Sequence, residues 1–169
     1  IFSMNNKVNQ WSEKYEYVDV ITPELTPYYE CKNPKKLKII QEFSSTKINE
    51  VDLRLTWEKS VNPNIDRYKK YNIFKQTKGY PKYNIIISSS NDRKEYEDIS
   101  NNFYVVRGLY IDTNYTLKLI VRHKGILKFS NGFKYLIETT NETNIGDIIH
   151  TGDTNEINLI KPLVKNFKT

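Results

Sequence analysis

Alternation of apolar and polar residues constrains this chain more than any other feature of its sequence. Within residues 51–57 every odd position is apolar, ending at Trp57, and every even position is polar. Every odd position within residues 115–121 is again apolar or aromatic. Successive side chains of a strand point to opposite faces, so a period of two indicates a strand with one buried face. Each segment therefore predicts a half-buried β-strand.

Turn residues separate further short segments rich in β-branched and aromatic side chains. The pair Asn131–Gly132 is the strongest hairpin signal, because both residues tolerate the positive φ of a tight turn. A second hairpin is predicted at Lys124–Gly125, and a strand over residues 68–75 would place Tyr71 on a buried face. Many short strands at regular spacing are typical of a β-sandwich or barrel. The sequence therefore predicts an all-β, antiparallel β-sandwich.

The ends of the chain differ in character from its middle. The 169 residues are enough for one ordinary domain with a smaller attachment. We predict an N-terminal β extension, or part of a preceding β domain, over 1–45, and the sandwich over 46–140. Residues 141–169 would form a C-terminal tail or docking segment. The chain begins at Ile1 rather than Met, so we expect a processed product or a fragment of a longer protein.

Three segments in the middle of the chain carry a family resemblance. They are the strand 51–57 that ends in Trp57, the alternating segment 65–74, and the sequence Val-Arg-Gly-Leu at 106–109 followed by a turn and the strand 115–121. In this order they resemble a fibronectin type III domain covering about residues 50–138. This fold hosts adhesion, receptor and accessory modules alike, so the resemblance indicates a fold and not an activity.

The resemblance implies roles for particular core residues. Tyr115 would form a tyrosine corner, with its ring inside and its hydroxyl bonded to a backbone group near the preceding turn. Trp57, Leu109 and Leu117 would be its core neighbours, together with Tyr71 of the third strand.

A weaker resemblance extends over the N-terminal part of the chain. Four features follow one another in a characteristic order along the chain. They are Trp11 with a tyrosine-rich stretch, the apolar segment 37–40, the strand ending at Trp57 and the strand ending at Phe74. That order is similar to the carboxyl-terminal region of family 85 endo-β-N-acetylglucosaminidases. The catalytic barrel of those enzymes has no counterpart here, so the resemblance assigns no catalytic residue to this chain.

The sequence offers no convergent set of catalytic groups. His123 and His150 are predicted to lie on the surface, one at a hairpin and one in the polar tail. The single cysteine, Cys31, can form neither an internal disulfide nor a Cys/His metal site. We therefore predict that the chain has no catalytic residues, no metal and no cofactor, and is not an enzyme by itself.

Charge and aromatic content indicate the kind of partner. The net charge is +6, but basic residues are scattered and interleaved with acidic ones, which argues against a nucleic-acid groove. Thirteen tyrosines exceed what one small core can bury with every hydroxyl satisfied. Tyr28, Tyr29, Tyr80 and Tyr83 lie beside or near proline in loop-like segments, where they could anchor a protein or glycan. The alternative is that compositional bias and loop packing account for them.

Two sequons, at Asn114 and Asn141, are candidate N-glycosylation sites. They favour an extracellular location, while the single cysteine leaves a cytoplasmic one open. No apolar run approaches the roughly 20 residues that span a bilayer, so no membrane-spanning segment is predicted.

Three functional hypotheses follow from the sequence. The first is a non-catalytic binding or accessory module that recognises a protein or a glycan. The second is the accessory region of a glycoside hydrolase, docked on another domain of a longer chain. The third is a structural or adhesion ectodomain of a surface protein.

Overall fold

The computed structural model describes residues 26–44, 46–142, 146–152 and 159–160. These residues form ten strands and one short helix. In chain order they are β1 (Lys38–Phe43), β2 (Glu50–Thr56), α1 (Pro63–Tyr68), β3 (Phe74–Gln76), β4 (Lys82–Ser88), β5 (Arg93–Ile99), β6 (Phe103–Tyr110), β7 (Asn114–Lys128), β8 (Lys134–Thr140), β9 (Asp147–His150) and β10 (Leu159–Ile160). The strand predicted over residues 15–21 lies outside the described residues.

The strands form two antiparallel sheets. One has the order β1-β2-β6, and the other has the order β10-β9-β7-β4-β5, with β3 and β8 also paired to β7. β1 comes from the predicted N-terminal extension and β9 from the predicted tail, so segments from both ends of the chain contribute strands. The predicted all-β, antiparallel sandwich is confirmed, and β1 of the predicted extension is a strand of one of its sheets.

The two sheets face each other across one main core. Leu53 and Leu55 of β2 and Ile85 and Ile87 of β4 are completely buried, as the alternation of their segments requires. The remaining members of this core come from both sheets. The ring of Trp57 meets the ring of Tyr83 edge to face, with centroids 5.1 Å apart. Burial of these apolar faces is what holds the sheets together.

The core positions implied by the family resemblance are mostly buried. Trp57, Leu109, Tyr115 and Leu117 are all at most 3% exposed. The Tyr115 hydroxyl accepts a hydrogen bond of 2.8 Å from the backbone N–H of Tyr110, just before the β6–β7 turn. This is the hydrogen bond that a tyrosine corner makes.

The fifteen-residue strand β7 organises the second sheet. β4 and β3 pair along one side of it, and β9 and β8 pair along the other. The predicted hairpin at Lys124–Gly125 is therefore wrong, because the strand continues through both residues. Gly125 is required for packing instead, since a Cβ there would lie 2.2 Å from Cζ of Phe74. The Asn131–Gly132 hairpin is present, with Gly132 at φ +95°.

A second, smaller core lies between α1 and the far half of β7. Tyr68, Leu127, Phe129 and Ile137 are buried in it, with Phe74 packed against them. The three strands β3, β7 and β8 carry this cluster and are called here the satellite sheet. Because β7 belongs to both cores, the satellite sheet is continuous with the sandwich.

The strand predicted over residues 68–75 is wrong for residues 68–73, and the segment 65–74, which carried part of the family resemblance, is helix and turn until β3 begins at Phe74. Asn62 caps α1 by accepting a hydrogen bond from the N–H of Asn64, and Pro63 occupies the first turn, where its missing N–H costs nothing. Asn72, at φ +55°, then reverses the chain before β3 begins. Tyr71 consequently lies in a turn and is 47% exposed, so its predicted core position is a correction.

Candidate ligand-binding groove

The four tyrosines predicted as ligand contacts occupy three different environments. Tyr28 and Tyr29 are 45% and 56% exposed in the segment that precedes β1. Tyr80 is half-buried before β4, with the Lys124 ammonium 5.3 Å from its ring centroid. Tyr83 is 1% exposed, and its hydroxyl accepts a hydrogen bond from the backbone N–H of Ser60. The expectation that Tyr83 is an exposed contact is wrong, because Tyr83 lies on the face of β4 that packs in the main core.

The backbone around Tyr28 is held by a buried polar cluster. The side-chain oxygen of Asn64 accepts the Tyr28 N–H at 2.8 Å, and its amide group donates to the Tyr28 carbonyl at 2.9 Å. The Thr139 hydroxyl donates to the same carbonyl at 2.7 Å. Asn64 and Thr139 are at most 1% exposed, and they also bond each other. Buried hydrogen-bond networks of this kind specify one geometry, so the position of Tyr28 is well defined.

Backbone pairing continues this attachment along the segment. The N–H of Thr140 donates to the Tyr29 carbonyl, and the N–H of Cys31 donates to the Thr140 carbonyl, each at 3.1 Å. These bonds accompany a parallel bridge between Glu30 and Thr140. The segment therefore adds to the open edge of β8 and is fixed as firmly as a short edge strand.

The ring of Tyr28 is oriented by an arginine of α1. The guanidinium carbon of Arg67 lies 4.4 Å from the ring centroid, which is a cation–π contact. A stacked guanidinium covers one region of the ring and restricts its rotation. Tyr28 is thus a preorganised aromatic side chain that still presents nearly half of its surface to solvent.

Tyr28 forms one wall of a groove of about 740 Å³. The groove runs between the segment of residues 28–35 and residues 58–66, which comprise the loop before α1 and the first residues of that helix. Three lysines and three carboxylates line it, so its charges balance: Lys32, Lys35, Lys59, Glu30, Glu58 and Asp66. Pro34 and Val61 add apolar surface. An aromatic wall with balanced polar groups suits a ligand that is polar but uncharged.

A serine and a histidine meet beside the groove. Ser60 lines the groove, and its hydroxyl oxygen lies 3.0 Å from Nε2 of His123. His123 is 1% exposed on β7, so its predicted surface position is wrong. Its Nδ1 is buried with no hydrogen-bond partner among the described residues.

The chemistry of this pair is that of a structural contact. A nucleophilic serine needs a basic histidine that is oriented by a third group. Burial lowers the pKa of His123 to about 4, which makes it a weak base. Burial also raises the pKa of the Cys31 thiol, another groove residue, to about 11, so it is a thiol and a poor nucleophile at neutral pH.

The two sequons have different environments. Asn114 is exposed at the start of β7, and its side-chain oxygen lies 2.7 Å from Nδ1 of His150. Asn141 is 3% exposed and cannot carry a glycan in the folded chain, so this candidate is corrected. Its amide oxygen accepts the N–H of Val121, and its amide nitrogen donates to the Leu119 carbonyl. The asparagine therefore serves as a backbone partner for β7.

Within the described residues, no cluster of three or more His, Cys, Asp or Glu side chains could hold a metal ion. The same part of the chain contains no helix with the length and apolar character that crossing a membrane requires.

Several residues that build the groove had no assigned role in the sequence analysis. Asn64, Arg67 and Ser60 act through partners that are distant along the chain, and nothing local marks them. Only the start of α1 is indicated by local sequence, because Asn62 followed by Pro63 is typical of the first residues of a helix.

No protein-family model matches the chain, and no curated protein matches it significantly.

Proposed function

We propose that this chain is a non-catalytic recognition module with a fibronectin type III-like sandwich, and that its groove binds a neutral glycan. The observation that carries the proposal is the exposed ring of Tyr28, held by Arg67 and by a buried polar cluster at the wall of a charge-balanced groove. A site whose contacts are fixed before binding loses less entropy when the ligand arrives.

Strand order supports the fibronectin-like part of the proposal. The first, second and fifth strands of an immunoglobulin-like sandwich share one sheet, and its third, sixth and seventh strands share the other. With β3 and β8 set aside as the satellite sheet, β1-β2-β6 and β9-β7-β4-β5 follow this partition. The Tyr115 hydrogen bond stands at the position of the tyrosine corner.

The chemistry of the groove favours a sugar over a charged ligand. The C–H face of a pyranose is apolar and packs on an aromatic ring, while its hydroxyls bond polar side chains around the rim. Tyr28 offers the ring, the three lysines of the groove offer hydrogen-bond donors, and its three carboxylates offer acceptors. A strongly anionic or cationic ligand would meet like charges as often as opposite ones.

The test uses the full 169-residue chain on a panel of neutral glycans, followed by calorimetry with any ligand found. Replacement Tyr28→Ala should weaken binding by about tenfold or more, as expected for an aromatic anchor. Tyr71→Ala is the matched control, because Tyr71 is equally exposed (47% against 45%) but lies outside the groove. We expect the control to bind within about twofold of the parent chain.

Two outcomes would count against the proposal. Equal losses for Tyr28→Ala and Tyr71→Ala would show that the groove does not select the ligand. Binding of an extended peptide with no binding of any neutral glycan would keep the groove as the site and change the ligand class to protein.

A further inference from the structure

The end of the β7–β8 hairpin is exposed to solvent. Every residue from Ser130 to Leu136 is exposed, including the first three residues of β8. Neighbouring side chains of a strand point to opposite faces, so Leu136 lies on the outer face, while Tyr135 lies on the inner face, where its ring meets that of Phe129 edge to face. Residues 126–136 are called here the hairpin end.

The hairpin end carries an unusual share of exposed apolar side chains. Phe133 is 61% exposed, Leu136 57%, Tyr135 42% and Ile126 40%. Leu136 lies directly opposite Ile126 in the ladder, so the two form one apolar strip on the outer face of the satellite sheet. A contiguous apolar patch rimmed by polar residues marks an interaction site more often than a lone exposed side chain does.

Three lysines adjoin this apolar strip. Lys128 lies directly opposite Lys134, and Lys75 lies directly opposite Ile126. Like charges placed opposite each other destabilise a ladder, so this pair is unfavourable in the isolated chain. Within the described residues none of these three lysines forms an ion pair, although carboxylates elsewhere do pair with lysines and arginines.

A depression beside the hairpin end concentrates the positive charge. It has a volume of about 670 Å³ and is lined by Lys75, Lys78, Lys128 and Lys134 together with Ile126 and uncharged residues of the β3 region. No carboxylate is among its described lining residues. The groove at Tyr28 balances its charges, whereas this depression is purely basic and would attract a phosphate group.

We propose that the hairpin end docks this protein on an anionic lipid surface. In this arrangement Phe133 and Leu136 enter the boundary between headgroups and acyl chains, and Lys128 and Lys134 meet lipid phosphates through their flexible stems. The basic depression receives a headgroup. An exposed apolar end flanked by lysines is suited to a fluid interface, which closes around it, and each lysine adds attraction to an anionic leaflet.

Co-sedimentation of the full chain with phosphatidylcholine vesicles, with and without phosphatidylserine, tests the proposal. We expect binding only to phosphatidylserine vesicles, weakening as salt is raised. The double replacement K128A/K134A should reduce binding by about tenfold or more. Phe133→Ser should also reduce it while leaving the salt dependence in place, because it removes apolar insertion and no charge.

A matched variant distinguishes local docking from the general effect of net charge. K38A/K94A removes the same charge from β1 and β5, away from the hairpin end, and should retain binding. Circular dichroism checks that all variants fold; the replaced side chains are exposed, except that of Lys94, which is half-buried. Equal losses in the two double variants would overturn the proposal, because binding would then follow overall charge alone.

Failure of the parent chain to bind phosphatidylserine vesicles at low salt would also overturn the proposal. Self-association of the parent chain, abolished by Phe133→Ser in sedimentation equilibrium, would then assign the apolar strip to protein contact. Neither outcome bears on the groove at Tyr28, whose glycan test is independent.

Discussion

Single polar side chains hold the irregular parts of this sandwich at the residue scale. Asn64 binds both backbone groups of Tyr28, and the Tyr115 hydroxyl accepts the N–H of Tyr110. Each satisfies a backbone group that no strand partner reaches, and leaving such a group unpaired in the interior costs about 1–3 kcal/mol. Their polarity is therefore a requirement of the fold, and it needs no ligand to explain it.

His123 leads to a prediction about pH at this scale. Burial lowers its pKa from 6.5 to about 4 in the folded chain, so the unfolded chain binds the proton more readily between these values. The stability that depends on neutral His123 is complete above pH 6.5 and is lost as the pH falls toward 4. The loss over this window should reach about 3 kcal/mol, at 1.36 kcal/mol for each pKa unit.

Urea unfolding of the parent chain and of His123→Gln, followed from pH 7.5 to pH 4, measures this effect. Glutamine does not titrate, so the difference in unfolding free energy between the two chains should shift in favour of the variant as the pH falls. A difference that stays constant across the window would contradict the predicted titration.

At the element scale, β7 is the strand with which most strands of its sheet pair. β9 pairs with its residues 114–117 and β8 with its residues 122–128, so among the described residues no strand pairs with 118–121 on that side. The Asn141 side chain fills this gap by bonding the N–H of Val121 at 2.8 Å and the carbonyl of Leu119 at 3.0 Å. It thereby replaces the ladder bonds that a continuous strand would supply.

Asn141→Ala should accordingly destabilise the chain by about 2–5 kcal/mol, because it leaves buried partners of the Asn141 side chain unpaired. The matched control is Asn114→Ala, in the other sequon, where the side chain is exposed and the change should stay within about 0.5 kcal/mol. Both are measured by chemical unfolding. Equal effects would show that the gap is satisfied without Asn141.

Two cores share one strand at the scale of the whole molecule. The main core lies between the sheets, and the smaller one joins α1 to the satellite sheet. β7 contributes Leu117 and Val121 to the first and Leu127 to the second. A continuous strand transmits a loss of packing from one core to the other, so we expect the molecule to unfold as one cooperative unit.

Leu127→Ala tests this coupling. The substitution should cost about 2–5 kcal/mol through the cavity it leaves in the smaller core. In a Trp11→Phe background, Trp57 becomes the only tryptophan and reports the main core. The unfolding transitions followed by Trp57 fluorescence and by far-ultraviolet circular dichroism should have the same midpoint, lower than that of the chain without Leu127→Ala. Two separate transitions would instead show that the satellite sheet unfolds alone.

The candidate site was only partly predictable. Tyr28 and Tyr29 were expected to be exposed because they follow a proline, and they are exposed. Tyr83 has a similar local sequence, but it lies in β4. Its side chain points to the face of β4 that is buried against the opposite sheet, and pairing with β7 fixes that orientation. Asn141 carried a glycosylation signal that is local, whereas its burial depends on strands 20 residues away.

Local sequence by itself determined several of the strands and one of the hairpin turns. A period of two assigns one face of a strand to the interior whatever lies opposite, as it did for β2 and for the first half of β7. Asn131–Gly132 specified its hairpin because the required positive φ is a property of those residues. Only the tertiary structure decided that β7 runs on through Gly125, that Asn64 and Arg67 meet Tyr28, and that lysines of β3, β7 and β8 share one depression. These depend on contacts between residues far apart in the chain, and their energies exist only once the strands have paired.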